Sequence, residues 1–267
     1  MARPPRRVPS QLKVAASQPA IQNKDLGSLT IDMFAGAIVQ KPQDETSLVT
    51  VTGSWMVPNI SPPPDAVLNN EATLFVDGTY EVGMSIGLDG GEPMQFEGGT
   101  VWGFGNDGLW AGTSSRIIVV DGLIARQDAY AWIRFWSPDS AVPSPTPWTD
   151  VLVNPGDTVT FGVCTPAPGV GVISAVNVTT GLTWRIETAV TLQGYAATWL
   201  VGPFTTQPPN FGYNFFYDLV ASTQEKDHNL DDATFLNFTE DTAATTNSPV
   251  EIMAAEAGPQ ILFIGWQ

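Results

Sequence analysis

The chemistry open to this chain is bounded first by its scarcest side chains, one histidine (His228) and one cysteine (Cys164). No Gly-x-Ser-x-Gly elbow is present, so a serine hydrolase triad is excluded unless His228 supplies the base. Asp227-His228-Asn229 and Asp231-Asp232 gather hard oxygen donors around one imidazole. Their spacing matches no metal loop, so a solvated acidic turn is expected there, with no metal site and no cofactor. Cys164 has no partner for an intrachain disulfide and reads as a small buried hydrophobe.

Carboxylates are then the main source of acid–base chemistry. Glu92 and Glu97 are five positions apart. On a regular strand they point to opposite faces, which does not suit the paired carboxylates of a glycosidase, about 5 to 9 Å apart across one sugar. Gln95 lies two residues before Glu97 and shares its face on an extended strand, so an amide and a carboxylate can be offered together. Asp89 is a further carboxylate that could pair with Glu97 if their environments push the two pKa values apart. Nine tryptophans add the stacking surfaces of a peptide or carbohydrate groove. Most are expected in the core; Trp102 and Trp110, in or beside the glycine-rich stretch 98–108, are the expected exceptions.

The elements that must position these groups read as strands. Residues 29–40, 47–58, 72–87, 116–124, 129–136, 158–164, 171–178, 183–190, 196–204 and 260–266 are rich in Val, Ile, Thr, Phe and Trp, with frequent alternation. Gly, Pro, Asn and Asp punctuate them, for example at 58–64, 138–147 and 166–171. No stretch carries sustained helical periodicity, and there is no fixed repeat. Many strands with short links and 22 prolines predict antiparallel sheets packed face to face. Residues 1–28, rich in Arg, Pro, Gln and Ser, read as an extended arm, and 29–267 as one domain. Residues 221–259 are poor in core side chains and are expected to form long surface loops.

Charge excludes one class of partner. The chain has 27 acidic and 11 basic residues, and five of the basic ones fall within the first 24 positions. The remainder therefore holds 6 basic against 27 acidic residues, a net charge of 6 − 27 = −21. Such a body repels phosphate, so nucleic acid is not an expected ligand. The acidity serves solubility or adaptation to acid, where protonated carboxylates relieve self-repulsion. No apolar run reaches membrane-spanning length, and the first thirty residues hold no signal-like apolar segment, so no membrane partner is expected. Asn177-Val-Thr and Asn237-Phe-Thr have the form of N-glycosylation acceptors.

Several segments, in order, resemble the glutamic peptidases (eqolisins). Gly53-Ser-Trp-Met-Val-Pro58 resembles their opening strand, and Ile86-Gly-Leu-Asp-Gly90 is similar to their Gly-Ile-Asp-Gly turn. Tyr130-Ala-Trp-Ile-Arg-Phe-Trp-Ser-Pro-Asp139 resembles their Tyr-x-Trp-Tyr-Glu-Trp-Tyr-Pro strand. Val153-Asn-Pro-Gly-Asp-Thr-Val159, Val178-Thr-Thr-Gly181 and Ala197-Thr-Trp-Leu-Val201 are similar to the Pro-Gly-Asp strand entry, the Thr-Thr-Gly hairpin and the Ala-Glu-Trp-Ile-Val strand. The resemblance implies an antiparallel two-sheet β-sandwich of the concanavalin A-like, jelly-roll kind, an extracellular setting, and a family whose members are made with a pro-segment.

It also implies a site. In that family a Glu moves protons on the attacking water and a Gln amide donates to the developing oxyanion, a division that suits a titrating and a non-titrating group. The Gln belongs to a Gln-x-Gly-Thr pattern, matched here by Glu97-Gly-Gly-Thr100, so Glu97 stands in the Gln position. Thr198 stands in the Glu position and Arg134 replaces the Glu of the Tyr-Glu-Trp strand. Threonine is no general acid or base at ordinary pH. The expected groove is lined by Glu97, Gln95, Trp102, Trp132, Arg134 and Thr198, and takes peptide or glycan without hydrolysing it. The alternatives are an acid endopeptidase that uses Glu97 and a structural protein on a lectin-like sandwich.

Overall fold

A computed structural model describes residues 35–41, 45–63, 74–89, 92–96, 99–103, 107–136, 145–203, 209–236, 250–254 and 261–266. The strands in chain order are β1 (Ala35–Gln40), β2 (Thr50–Met56), β3 (Gly78–Asp89), β4 (Glu92–Phe96), β5 (Gly99–Gly103) and β6 (Gly108–Val120). Next come β7 (Leu123–Trp136), β8 (Thr146–Pro147), β9 (Thr158–Ala167), β10 (Val170–Asn177), β11 (Leu182–Ala189) and β12 (Ala196–Pro203). The last are β13 (Tyr213–Ser222), β14 (Asp227–His228), β15 (Ala233–Leu236), β16 (Val250–Ala254) and β17 (Leu262–Trp266), with one 3-10 turn at Leu230–Asp232.

Two antiparallel sheets result. The first runs β15-β1-β12-β3-β6-β7-β8; the second runs β11-β10-β9-β2-β13-β17-β16, with β14 beside β13. A separate two-stranded ribbon pairs β4 with β5. Alternation decides what the sheets share. Val51 and Trp55 of β2, Val159, Phe161 and Val163 of β9, and Ile173 and Ala175 of β10 are all buried in one apolar core. They meet Val82, Met84, Ile86 and Leu88 of β3 and Leu109 and Ala111 of β6 from the other sheet. Burial of this kind gives about 25 cal/mol per Å² of apolar surface and is the main force holding the layers together.

Three tryptophan and serine hydrogen bonds pin the layers in register. Trp55 Nε1 donates to Thr113 Oγ1 at 2.8 Å, Trp199 Nε1 donates to the Thr52 carbonyl at 2.8 Å, and Ser115 Oγ donates to the Pro58 carbonyl at 2.6 Å. Trp55 also stacks on Phe161 at 5.0 Å and meets the edge of Phe216 at 5.5 Å. A tryptophan fully inside a core needs a partner for its N–H, and here the facing sheet provides it.

The strand boundaries differ from the sequence reading at several places, and β4, β5 and β8 fall outside the expected strands altogether. The stretch 116–124 spans a hairpin turn instead of one strand: β6 begins at Gly108 and turns at Asp121-Gly122, both at positive φ (52° and 74°). That backbone suits the two-residue turn whose twist matches the flanking strands, and Asp-Gly is a favoured pair for it. Tyr213–Ser222, absent from the expected strands, is a full member of the second sheet between β2 and β17. Within 221–259, expected as surface loops, β14, the 3-10 turn, β15 and β16 all form. Residues 1–34, which hold the expected arm, lie outside the described residues. Among the described residues no helix is long and apolar enough to cross a membrane.

Candidate functional site

The first sheet has a second face, opposite the core, and registration fills it in a defined way. In β12 Ala197, Trp199 and Val201 join the core, so Thr198 and Leu200 point the other way. The same alternation puts Ser85 and Gly87 of β3, Trp110, Gly112 and Ser114 of β6, and Tyr130, Trp132 and Arg134 of β7 on that face. The pairing then lines up Ile38, Thr198, Gly87, Trp110 and Arg134 in one row across five adjacent strands. The next row holds Leu200, Ser85, Gly112 and Trp132.

Glycine at 87 is what lets this row close up. A Cβ on Gly87 would sit 2.3 Å from Cδ1 of Trp110, so the indole lies flat over the bare backbone beside Thr198. The indole N–H donates to the Asp89 carbonyl at 2.8 Å, which fixes the ring. The Arg134 guanidinium stands over the Trp110 ring at 5.9 Å, within cation–π range. Burial pulls the Arg134 pKa down, yet a guanidinium keeps its charge at any ordinary pH. Thr198 is 1% exposed and donates a long 3.4 Å bond to the Gly87 carbonyl. Trp110, Trp132 and Leu200 form a small apolar cluster of their own, with Tyr130 against it.

Farther along the same face the character changes from apolar to ionic. Glu81, Arg116 and Asp128 form a row. The Tyr130 hydroxyl donates to Glu81, and burial together with that acceptor pushes the Tyr130 pKa well up, so the phenol stays a donor. Arg116 lies 5.4 Å over the Tyr130 ring and grips Asp128 with two bonds of 3.1 and 3.0 Å. The Arg116 hydrogen bond, the largest cause, pulls the Asp128 pKa down. Trp132 and Trp110 thus make a floor that is 1% and 3% exposed, with half-buried Tyr130, Arg134 and Asp128 at its rim.

Asp89 has a different task from the ligand contact its sequence position suggests. It is fully buried at φ 56°, and its two carboxylate oxygens accept from four successive amides, Gln193, Gly194, Tyr195 and Ala196, at 2.6, 2.7, 2.6 and 3.2 Å. Desolvation pushes its pKa up and the four amides pull against it, with the net shift upward. Both oxygens are committed to the turn that feeds β12, so Asp89 organises the entry to that strand and offers no free oxygen for proton transfer.

Glu97 lies outside the described residues, as do the side chains of Gln95 and Trp102; the backbones of the latter two pair with Thr100 and Pro93 across the β4–β5 ribbon. The structure therefore brings together Thr198, Trp110, Trp132 and Arg134 of the residues singled out from sequence. It also exposes a second match to Gln-x-Gly-Thr, Trp110-Ala111-Gly112-Thr113, which lies on β6 in the row of Thr198. β6 starts at Gly108, ahead of the strand expected from residue 116, and so includes it.

His228 is buried, not part of a solvated turn. Its Nε2 lies 2.7 Å from Glu45 Oε2 and its Nδ1 2.9 Å from Asp232 Oδ2, which ties the segment after β1 to the 3-10 turn. Among the described residues no group of three or more His, Cys, Asp or Glu is arranged to hold a metal ion.

Residues 32–255 match the model of the peptidase A4 family. This chain belongs to that family. Solved structures agree on the fold. A scytalido-glutamic peptidase with a peptide-based transition-state analog superposes with a TM-score of 0.61 at 13% identity, covering 88% of this chain and 98% of that one. SCP-B, a member of the eqolisin family in complex with the tripeptide Ala-Ile-His, gives 0.59 at 13% identity, with the same coverage. Aspergilloglutamic peptidase from Aspergillus niger gives 0.52 at 18% identity, covering 70% of this chain and 99% of that one. No curated protein matches the sequence. For an A4-family chain the two-sheet sandwich is thus the fold of its solved neighbours.

Proposed function

We propose that this A4-family protein binds extended peptide along the outer face of its seven-stranded sheet and does not hydrolyse it by paired Gln and Glu chemistry. The carrying observation is the row Thr198–Gly87–Trp110. By its place in the segment that resembles Ala-Glu-Trp-Ile-Val, Thr198 stands where the general base is expected, and a hydroxyl held by the Gly87 carbonyl is ill suited to move a proton at ordinary pH. Trp110, the first residue of the second Gln-x-Gly-Thr match, packs an indole over Gly87 and offers no amide there. Its N–H is already spent on Asp89 and is not available to an oxyanion.

Peptide is favoured as ligand because two neighbours of this fold carry peptide or a peptide-based analog. The buried indoles of Trp110 and Trp132 do not reach a ligand themselves; half-buried Tyr130 and Arg134, packed beside them, are the groups a bound chain would touch. The test is to incubate the chain with denatured protein from pH 2 to 7, beside Glu97→Ala, and to titrate peptide and glycan libraries by calorimetry against wild type and Arg134→Ala. No cleavage at any pH, with peptide binding weakened in Arg134→Ala, is the expected result. Cleavage that disappears in Glu97→Ala would overturn the proposal in favour of an acid endopeptidase; glycan binding alone would reassign the ligand.

A further inference from the structure

We propose that β11 is a self-recognition edge, through which two copies of this chain pair antiparallel and join their second sheets into one. β11 is the outermost strand of that sheet, eight residues long, and pairs with β10 without a bulge from Asn177↔Leu182 to Val170↔Ala189. Among the described residues its free side has no proline, glycine or irregular register to blunt it; its two charged side chains, Arg185 and Glu187, are of opposite sign and bridge each other at 2.7 Å in a single copy. Among the described residues no strand pairs with that side, so its backbone donors and acceptors can pair with another strand.

The side chains specify which strand fits. Arg185 and Glu187 sit on the face away from the core and are 61% and 60% exposed, while Trp184 and Ile186 lie on the core face, only partly buried. In an antiparallel pair centred on Ile186, Arg185 of one copy faces Glu187 of the other, and the reverse contact follows from the twofold axis. Trp184 then faces Thr188, and the two Ile186 side chains meet, covering the apolar surface that a single copy leaves half open. Slipping the register by two residues sets Arg185 against Arg185 or Glu187 against Glu187, which is destabilising for directly opposed like charges. Slipping by one sets each copy's core face against the other's outer face. Of these registers only the centred one satisfies both faces, over the full eight residues, and its partner is a second copy.

A single strand pair buries less than the roughly 1,200–2,000 Å² of a stable interface, so the association is weak and concentration-dependent. Sedimentation equilibrium over a wide concentration range should show the mass rising from the monomer's 28.6 kDa toward twice that value. Glu187→Arg and Arg185→Glu should each remain monomeric over that range, because the centred register and both two-residue slips then oppose like charges. An equimolar mixture of the two variants should recover the dimer. Both side chains are exposed, and thermal melts matching wild type establish that each variant is folded. A monomeric wild type at all concentrations, a dimer that survives in either single variant, or a mixture that stays monomeric would each overturn the proposal.

Discussion

The indole of Trp110 occupies the volume that any side chain at position 87 would claim, and its N–H closes on the carbonyl of Asp89 at 2.8 Å. Gly87→Ala should therefore cost about 1–3 kcal/mol, the usual range for forcing volume into a packed site. Denaturant unfolding measures this directly. Gly87→Ala combined with Trp110→Ala should recover part of the loss seen in Gly87→Ala relative to the single Trp110→Ala background. Independent, additive effects would show that the two positions do not share space.

Asp89 holds the turn before β12 through four amides. Asp89→Asn puts an NH₂ against some of those donors and leaves them unsatisfied. The expected loss is about 1–3 kcal/mol per buried group so stranded, and hydrogen exchange of the Gln193–Ala196 amides should accelerate relative to β2 and β9. Unchanged protection in that turn would mean that the carboxylate does not organise it.

Acid should weaken the ionic end of the outer face. Arg116 holds the Asp128 pKa below its ordinary 3.8, so just below that pH the unfolded chain binds more protons than the folded one. The contribution is complete above the unfolded pKa and is lost as pH falls through the folded one. The difference in melting temperature between wild type and Asp128→Asn should accordingly be largest near neutrality and shrink below pH 4, to a degree limited by solvent screening of these partly exposed groups. A difference that stays constant down to pH 2 would contradict this assignment.

Asn177 heads a glycosylation triplet, yet it is 1% exposed and its amide donates to Asp157 Oδ2 at 2.8 Å and to the Leu152 carbonyl at 3.1 Å. A glycan there is incompatible with this packing. Chain secreted from a glycosylating host should show no occupancy at Asn177 by peptide mass mapping, and Asn177→Ala should cost about 1–3 kcal/mol by leaving Asp157 short of a donor.

The sequence by itself determined the all-β class and the family, because alternation of apolar residues and turn chemistry are local properties of the chain. Trp55, Trp199 and the Pro-Gly-Asp turn could be picked out that way from their neighbours in the chain, but the facing-sheet partners of the two indole N–H groups could not. The part played by β13 was legible in principle from its alternating Asn214, Phe216 and bulky neighbours, but a strand surrounded by loops gives a short signal. Which Gln-x-Gly-Thr match shares a row with Thr198 was decided only in three dimensions. Glu97-Gly-Gly-Thr100 and Trp110-Ala-Gly-Thr113 fit the same short pattern, and only the pairing of β12 with β3 and of β3 with β6 selects Trp110 as the neighbour across the row. Register between strands distant in sequence is fixed by the packing of both faces at once, and no local stretch of residues carries that information.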